Sequence, residues 1–309
     1  MSGALDTLLD RLVIPGYTKL GYSLRSRTWP ADDPRPNALA GKTAIVTGAR
    51  GGLGKATAAG LAALGATVHL VVRDATKATR TVADLRSEVP TATFVVDECD
   101  ISDLDAVRRY AAGLTGPIHA LIHNAGVMPP RRTQSPQGHE LTLATHVLGP
   151  LLLTDLLRDH LEDGRVVFVA SGGMYTQRLP VDDPEYRNGS YHGARAYARS
   201  KRIQVALTPV LAAELAPTFI ATMHPGWSQT PGLTDSLPLF TNLTRPLLRT
   251  PAQGADTTVW LAATNRTLPT GNFWHDRQPR PTHYLRHTED SEADTQRIWD
   301  YCRTAAGIS

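Results

Sequence analysis

From Thr43 onward, short β-branched runs alternate with alanine- and leucine-rich segments of helical length, and this alternation leaves the chain very few architectures. The runs are Thr43–Thr47, Thr67–Val72, Thr93–Asp97, Ile118–His123, Arg165–Ala170 and Thr218–His224, with Lys55–Leu64 and Val82–Glu88 among the separators. Each run is apolar almost throughout, so both faces of the sheet it forms must be covered. Such strands, spaced by helices, predict an α/β fold: a doubly wound parallel sheet of about seven strands with right-handed crossovers.

One domain of this kind accounts for residues 41–276. Ahead of it, in residues 1–40, Leu5, Leu8, Leu9, Leu12 and Val13 fall at helical spacing opposite Asp6, Asp10 and Arg11. A connector broken by Pro30, Pro34 and Pro36 follows. The pattern predicts an amphipathic helix patched onto its own domain. The competing reading is a membrane-surface or partner helix, because Lys19, Arg25 and Arg27 come next. In residues 277–309 a C-terminal tail carries a predicted helix from Glu289 to Thr304.

Composition removes several classes of function. With 41% hydrophobic residues and a formal charge of +3, the chain can bury a core and lacks the basic surplus of a nucleic-acid binder. Cys99 and Cys302 are too few for a disulfide framework or a cysteine-based zinc site. His119 and His123 share a strand without further ligands nearby, which argues against a metal. There is no apolar run of about 18 residues and no basic n-region, so the expectation is a cytoplasmic enzyme without a membrane span or secretory signal.

The stretch Thr47-Gly48-Ala49-Arg50-Gly51-Gly52-Leu53-Gly54 follows the first strand and opens the first helix. Glycine permits a tight turn and lets a pyrophosphate approach the backbone, while the helix start presents N–H groups to the anion. In that context a glycine cluster is a strong sign of dinucleotide binding.

The spacing TGxxxGxG resembles that of the short-chain dehydrogenase/reductase family, and further stretches agree. His123-Asn124-Ala125-Gly126 is similar to its NNAG, and Asp100 with Ile101 resembles its adenine contact. Tyr197-Ala198-Arg199-Ser200-Lys201 resembles its YxxxK, and Pro225-Gly226-Trp227-Ser228-Gln229-Thr230 its PGxxxT. Tyr17–Tyr22, Ser171–Met174, Met223–Trp227, Ala252–Thr257 and Asp276–Pro279 recur together in one branch of that family, which joins the N-terminal segment to the domain. The resemblance implies a Rossmann-type fold and a nicotinamide cofactor.

At the end of the second strand Arg73 precedes Asp74. An acid in this region holds a ribose 2′-OH, whereas a guanidinium holds a 2′-phosphate through paired, charged hydrogen bonds. Members of the family with an arginine here prefer NADPH, and Arg50 adds positive charge to the same corner. The expectation is therefore NADP(H), ahead of NAD(H).

Tyr197 and Lys201 are four apart in a helical segment and project from one face. A nearby ammonium lowers a phenol toward the neutral range, which suits it to general acid/base work. The resemblance assigns Lys201 also to the nicotinamide ribose and Ser171 to the substrate oxygen. Hydride transfer to a carbonyl carbon would accompany proton donation from Tyr197. One position departs from the family pattern. His146 stands where a helix-borne asparagine uses its backbone carbonyl to hold a water linking the lysine to solvent. Either the backbone role survives, or the imidazole itself shuttles protons.

A lid is expected over about residues 231–250, where Leu233, Leu237, Leu239, Phe240, Leu243, Leu247 and Leu248 suggest a lipophilic small-molecule substrate. Three functions compete. The leading one is an NADP(H)-dependent ketone/alcohol oxidoreductase. The second is a tailoring enzyme performing non-redox cyclisation or dehydration in the same pocket. The third is an NADPH-binding sensor or scaffold. Family members assemble through the helices carrying His146 and Tyr197, and whether this chain forms a homo-oligomer is left open.

Overall fold

The computed structural model describes residues 6–7, 10–229 and 245–308. Its strands are β1 (Thr43–Thr47), β2 (Thr67–Val72), β3 (Phe94–Glu98), β4 (Ala120–His123), β5 (Arg165–Val169), β6 (Phe219–Met223), β7 (Asn272–His275) and β8 (Gln278–Pro279). They form one sheet in the order β3-β2-β1-β4-β5-β6-β7-β8. All pairs are parallel up to β7, and β8 returns antiparallel beside it. This is the expected doubly wound α/β sheet.

Each β-branched run serves both faces at once. On β1, Ile45 joins one buried cluster while Ala44 and Val46 join the other. The helices are α1 (Val13–Tyr17), α2 (Lys19–Ser26), α3 (Gly52–Ala63), α4 (Thr79–Glu88), α5 (Leu104–Ala112), α6 (Leu141–Leu143), α7 (Gly149–Leu156), α8 (Gly193–Glu214), α9 (Pro251–Ala263) and α10 (Glu292–Ala306). A π turn, Ala144–Leu148, joins α6 to α7. Leu104, Leu151, Leu207 and Leu211 from α5, α7 and α8 cover one face; Leu61, Leu85 and Leu261 from α3, α4 and α9 cover the other. Burying each such side chain contributes about 1.5–3 kcal/mol.

The strand order reverses between β1 and β4, which opens a crevice at the carboxyl ends of the strands. Sequence reading missed β7 and β8, which are too short to show a period. It also missed α9, although Thr250 and Gln253 form a reciprocal capping box with Pro251 at the helix start.

The N-terminal arm is described only in part. Leu5, Leu8 and Leu9 lie outside the described residues, and Leu12 is 51% exposed. The acidic residues face inward instead. Arg25 pairs with Asp6 at 2.7 Å and Asp276 at 2.8 Å, and Arg280 pairs with Asp6 at 2.6 Å. Charge complementarity with Arg25 and Arg280 thus ties Asp6 of the arm to the domain. Breaking one partner of such a buried pair costs about 3–5 kcal/mol.

The tail helix α10 begins after Ser291, whose side chain accepts from the Asp294 N–H, and ends at Gly307 in the left-handed region. It buries Ile298, Trp299 and Cys302 in the same cluster as Leu151 and Leu207.

Candidate active site

The loop after β1 is held by Thr47. Its Oγ1 accepts from the N–H groups of Asn124 and Ala125, both at 3.0 Å, and donates to the Ile122 carbonyl at 3.3 Å. The Asn124 amide donates in return to the Thr47 carbonyl at 2.9 Å. Gly48 has a φ of +67°, and a Cβ there would sit 2.7 Å from Ala125 Cα. A Cβ on Gly54 would sit 2.4 Å from the Gly48 carbonyl oxygen. Only glycine allows this close approach of the two loops. No side chain caps α3 at Gly51, and a Cβ there would meet open space. The N–H groups of Gly52, Leu53 and Gly54 thus begin the helix without a side-chain acceptor, the arrangement that suits an anion.

Arg50 and Arg73 are exposed, and among the described residues neither guanidinium has a hydrogen-bond or ion-pair partner. Asp74 behaves differently. It accepts from Thr76 Oγ1 at 2.5 Å and pairs with Lys77 at 2.8 Å, so its carboxylate is tied to its own turn. Asp100 accepts from the N–H and hydroxyl of Ser102 at 2.9 and 2.7 Å. Ile101 is buried against α7: a Cβ on Gly149 would overlap its carbonyl oxygen at 1.9 Å.

Ser171 follows β5 and caps the 3-10 turn Gly172–Thr176, accepting from the Gly173 N–H at 3.3 Å. Its hydroxyl opposes the rise that burial imposes on the Tyr197 phenol. Tyr197 and Lys201 share a face of α8, with the lysine Nζ 5.6 Å from the tyrosine ring centre. Lys201 is only 2% exposed, and Nζ donates to the Val169 carbonyl at 2.7 Å and to Gln204 Oε1 at 3.0 Å.

His146 occupies the middle of the π turn, wholly buried, with its ring edge-on to Tyr197 at 5.2 Å between centres. Its Nε2 accepts from the Val127 N–H at 3.0 Å. Its Nδ1 therefore carries the hydrogen and donates to Ser200 Oγ at 2.7 Å. Ser200 in turn donates to the Tyr197 carbonyl at 2.8 Å. Both ring nitrogens are engaged, and burial, reinforced by Lys201, keeps the imidazole neutral well below its ordinary value.

Burial dominates the ionisation of the site. It brings the Lys201 ammonium down to about 7. It also pushes the Tyr197 phenol up, with Ser171 opposing. The expected lowering of the phenol by its lysine is thus reversed in the free chain. The reason is that a lysine discharged near neutrality carries no charge where the phenol titrates.

Pro225 and Gly226 follow β6, and Gly226 has a φ of +69° where a Cβ would approach the Tyr17 carbonyl oxygen at 2.6 Å. Thr230 and the greater part of the lid, residues 231–244, lie outside the described residues. Of the rest, Leu247 is exposed and Leu248 buried. The loop Gly48–Gly54, Asp100–Ile101, Asn124–Gly126, Ser171 and Pro225–Gly226 all follow carboxyl ends of strands along one crevice, with Tyr197, Lys201 and His146 beside β5. Two contributors were missed: Tyr17 as a brace of the site, and Gln204. Gln204 could have been found, because it lies three residues after Lys201 on the same helix face.

This geometry agrees with what comparison with known proteins finds. The family model described as short chain dehydrogenase matches residues 42–237. The chain belongs to the short-chain dehydrogenase/reductase family of oxidoreductases, whose members use nicotinamide cofactors. Within that family it falls with Dehydrogenase/reductase SDR family member 12: it is 38% identical to the Bos taurus protein over 91% of each chain. It is also 32% identical to Retinol dehydrogenase 12 of Homo sapiens, over 77% of this chain and 78% of that one. A crystal structure of an uncharacterized protein from Mycobacterium paratuberculosis superposes with a TM-score of 0.73 at 30% identity, over 90% of this chain and 97% of that chain. Among the described residues no helix is long and apolar enough to cross a membrane.

Proposed function

We propose that the protein is an NADP(H)-dependent oxidoreductase that interconverts a ketone and an alcohol on a lipophilic small molecule, with Tyr197 as the general acid/base. The observation that carries this reading is Lys201, buried on the same helix face as Tyr197 with its Nζ 5.6 Å from the phenol ring centre, with Ser171 at the end of β5. Ser171 orients the substrate oxygen, and the phenol delivers the proton to it. A phenol held protonated by burial is the form that serves carbonyl reduction.

The uncapped start of α3, the loop glycines and the two unpartnered guanidinia fit a dinucleotide with an extra phosphate. A bound nicotinamide supplies the hydride. Gly48, Arg50, Gly52, Leu53 and Gly54 would hold the pyrophosphate side, and Arg73 the 2′-phosphate. Asp100 and Ile101 would flank the adenine. Asn124, Ala125, Gly126, Lys201, Pro225 and Gly226 would line the nicotinamide end. With Asp74 engaged by Thr76 and Lys77, the acid that would favour NAD(H) is occupied. A relative named as a retinol dehydrogenase supports a lipophilic substrate. His146, with both nitrogens engaged, argues against an imidazole shuttle.

The test is oxidation of NADPH and NADH against a panel of lipophilic carbonyls, with wild type and Tyr197→Phe. Wild-type consumption of NADPH that Tyr197→Phe lowers by about three orders of magnitude supports the reading. No consumption with any carbonyl sinks it.

A further inference from the structure

The Tyr197–Lys201 pair carries an attachment that the YxxxK pattern does not require. Gln204, one turn beyond Lys201 on α8, is buried with both ends of its amide used. Oε1 accepts from Lys201 Nζ at 3.0 Å, and Nε2 donates to the His146 carbonyl at 2.6 Å. One side chain therefore ties the lysine head, its own helix and the π turn together. The π turn offsets the helical hydrogen-bond ladder, and such turns cluster at functional sites.

Glutamine suits this span because it is an acceptor at one end and a donor at the other. A glutamate would set a carboxylate oxygen against the His146 carbonyl, and a methionine would bond neither group. An amide also holds its hydrogen bonds without taking or giving up a proton near neutrality. A water in the same place would pass one.

We propose that Gln204 is a positioning residue for proton transfer at Tyr197: its amide anchors Lys201 Nζ to the His146 carbonyl and closes that side of the lysine to proton exchange. The inference rests on the oxidoreductase reading above. The titratable groups facing Lys201 are Tyr197 on its own helix, His123 on β4 and His146 in the π turn. Burial holds both imidazoles neutral, His123 down at about 3. Gln204 is thus the neighbour whose exchange changes what the ammonium meets.

The experiment is an NMR titration of the Lys201 side chain in the free, full-length protein, assigned with Lys201→Met, for wild type, Gln204→Met and Gln204→Glu. Losing one charge-assisted hydrogen bond in Gln204→Met is expected to move the lysine midpoint down by about one pH unit. The added carboxylate of Gln204→Glu moves it up. The alkaline fall of kcat for carbonyl reduction shifts in the same two directions. A general loosening of the fold would not produce opposite shifts. Midpoints that stay put, or that move the same way in both variants, overturn the proposal. If Gln204→Glu does not fold, an unmoved midpoint in Gln204→Met overturns it alone. A wild type with no turnover fails the oxidoreductase reading, while the titration still decides the bridge.

Discussion

Tyr17 of the N-terminal arm lies against Gly172, the residue after Ser171: a Cβ on Gly172 would come within 2.8 Å of the Tyr17 ring. The Tyr17 carbonyl accepts from the Trp227 N–H at 2.7 Å, just beyond the Pro225-Gly226 turn. Its ring also packs on His224 and His275, at 4.5 and 5.1 Å between centres. A single residue of the arm thus braces the segments following β5, β6 and β7. Tyr17→Ala is expected to lower stability by about 3–5 kcal/mol, the cost of emptying a large aromatic site. Denaturant unfolding measures it, and a loss below about 1 kcal/mol would show that the arm is not part of the packed domain.

Arg73 decides the cofactor preference in the proposed reading. Arg73→Asp exchanges a donor for an acceptor at the expected 2′-phosphate. The ratio of kcat/KM for NADPH over NADH should fall by about 10–100-fold, the worth of one or two charged hydrogen bonds. Steady-state kinetics with both dinucleotides gives the answer, and an unaltered ratio removes Arg73 from the site.

Glu185 fastens the loop between Ser171 and Tyr197 to the rest of the molecule. It accepts from His139 at 2.7 Å, from the Glu140 N–H at 2.6 Å and from Tyr301 of α10 at 2.5 Å. Burial alone would raise its carboxyl, but these hydrogen bonds together outweigh it and hold the group at about 2. The unfolded chain therefore binds this proton first as pH falls. The stabilisation is complete above the unfolded value of 4.5 and is lost as pH drops through about 2. Glu185→Gln should lose about 1–3 kcal/mol at neutral pH and flatten the dependence of stability between those two values. Equal acid sensitivity in wild type and variant would contradict this.

The tail helix bears on self-association. Ile298 and Trp299 of α10 share a buried cluster with Leu148 of the π turn, Leu151 of α7 and Leu207 of α8. The chain's own helix thus packs on the two helices expected, from the family resemblance, to carry an assembly surface. Wild type is expected to sediment as a monomer, and removal of residues 289–309 to yield dimers or aggregates. A wild-type dimer unaffected by that truncation would overturn the expectation.

The sheet was readable because its information is local. Six of the eight strands announce themselves as apolar β-branched runs, and the glycine loop, Ser171, Tyr197 and Lys201 stand in order along them. Strands β7 and β8 were not readable, since four and two residues carry no period and pair only because β6 is already in place.

By itself the sequence determined the fold class and where the strand-end motifs fall along the chain, because patterning and turn chemistry act between neighbours in the chain. Only the tertiary structure decided how the arm is fastened, since Arg25 and Asp276 meet across almost the whole chain. It alone also decided the state of Lys201 and His146. Their ionisation follows from burial, and for His146 also from Lys201, and burial exists only once the layers close around them.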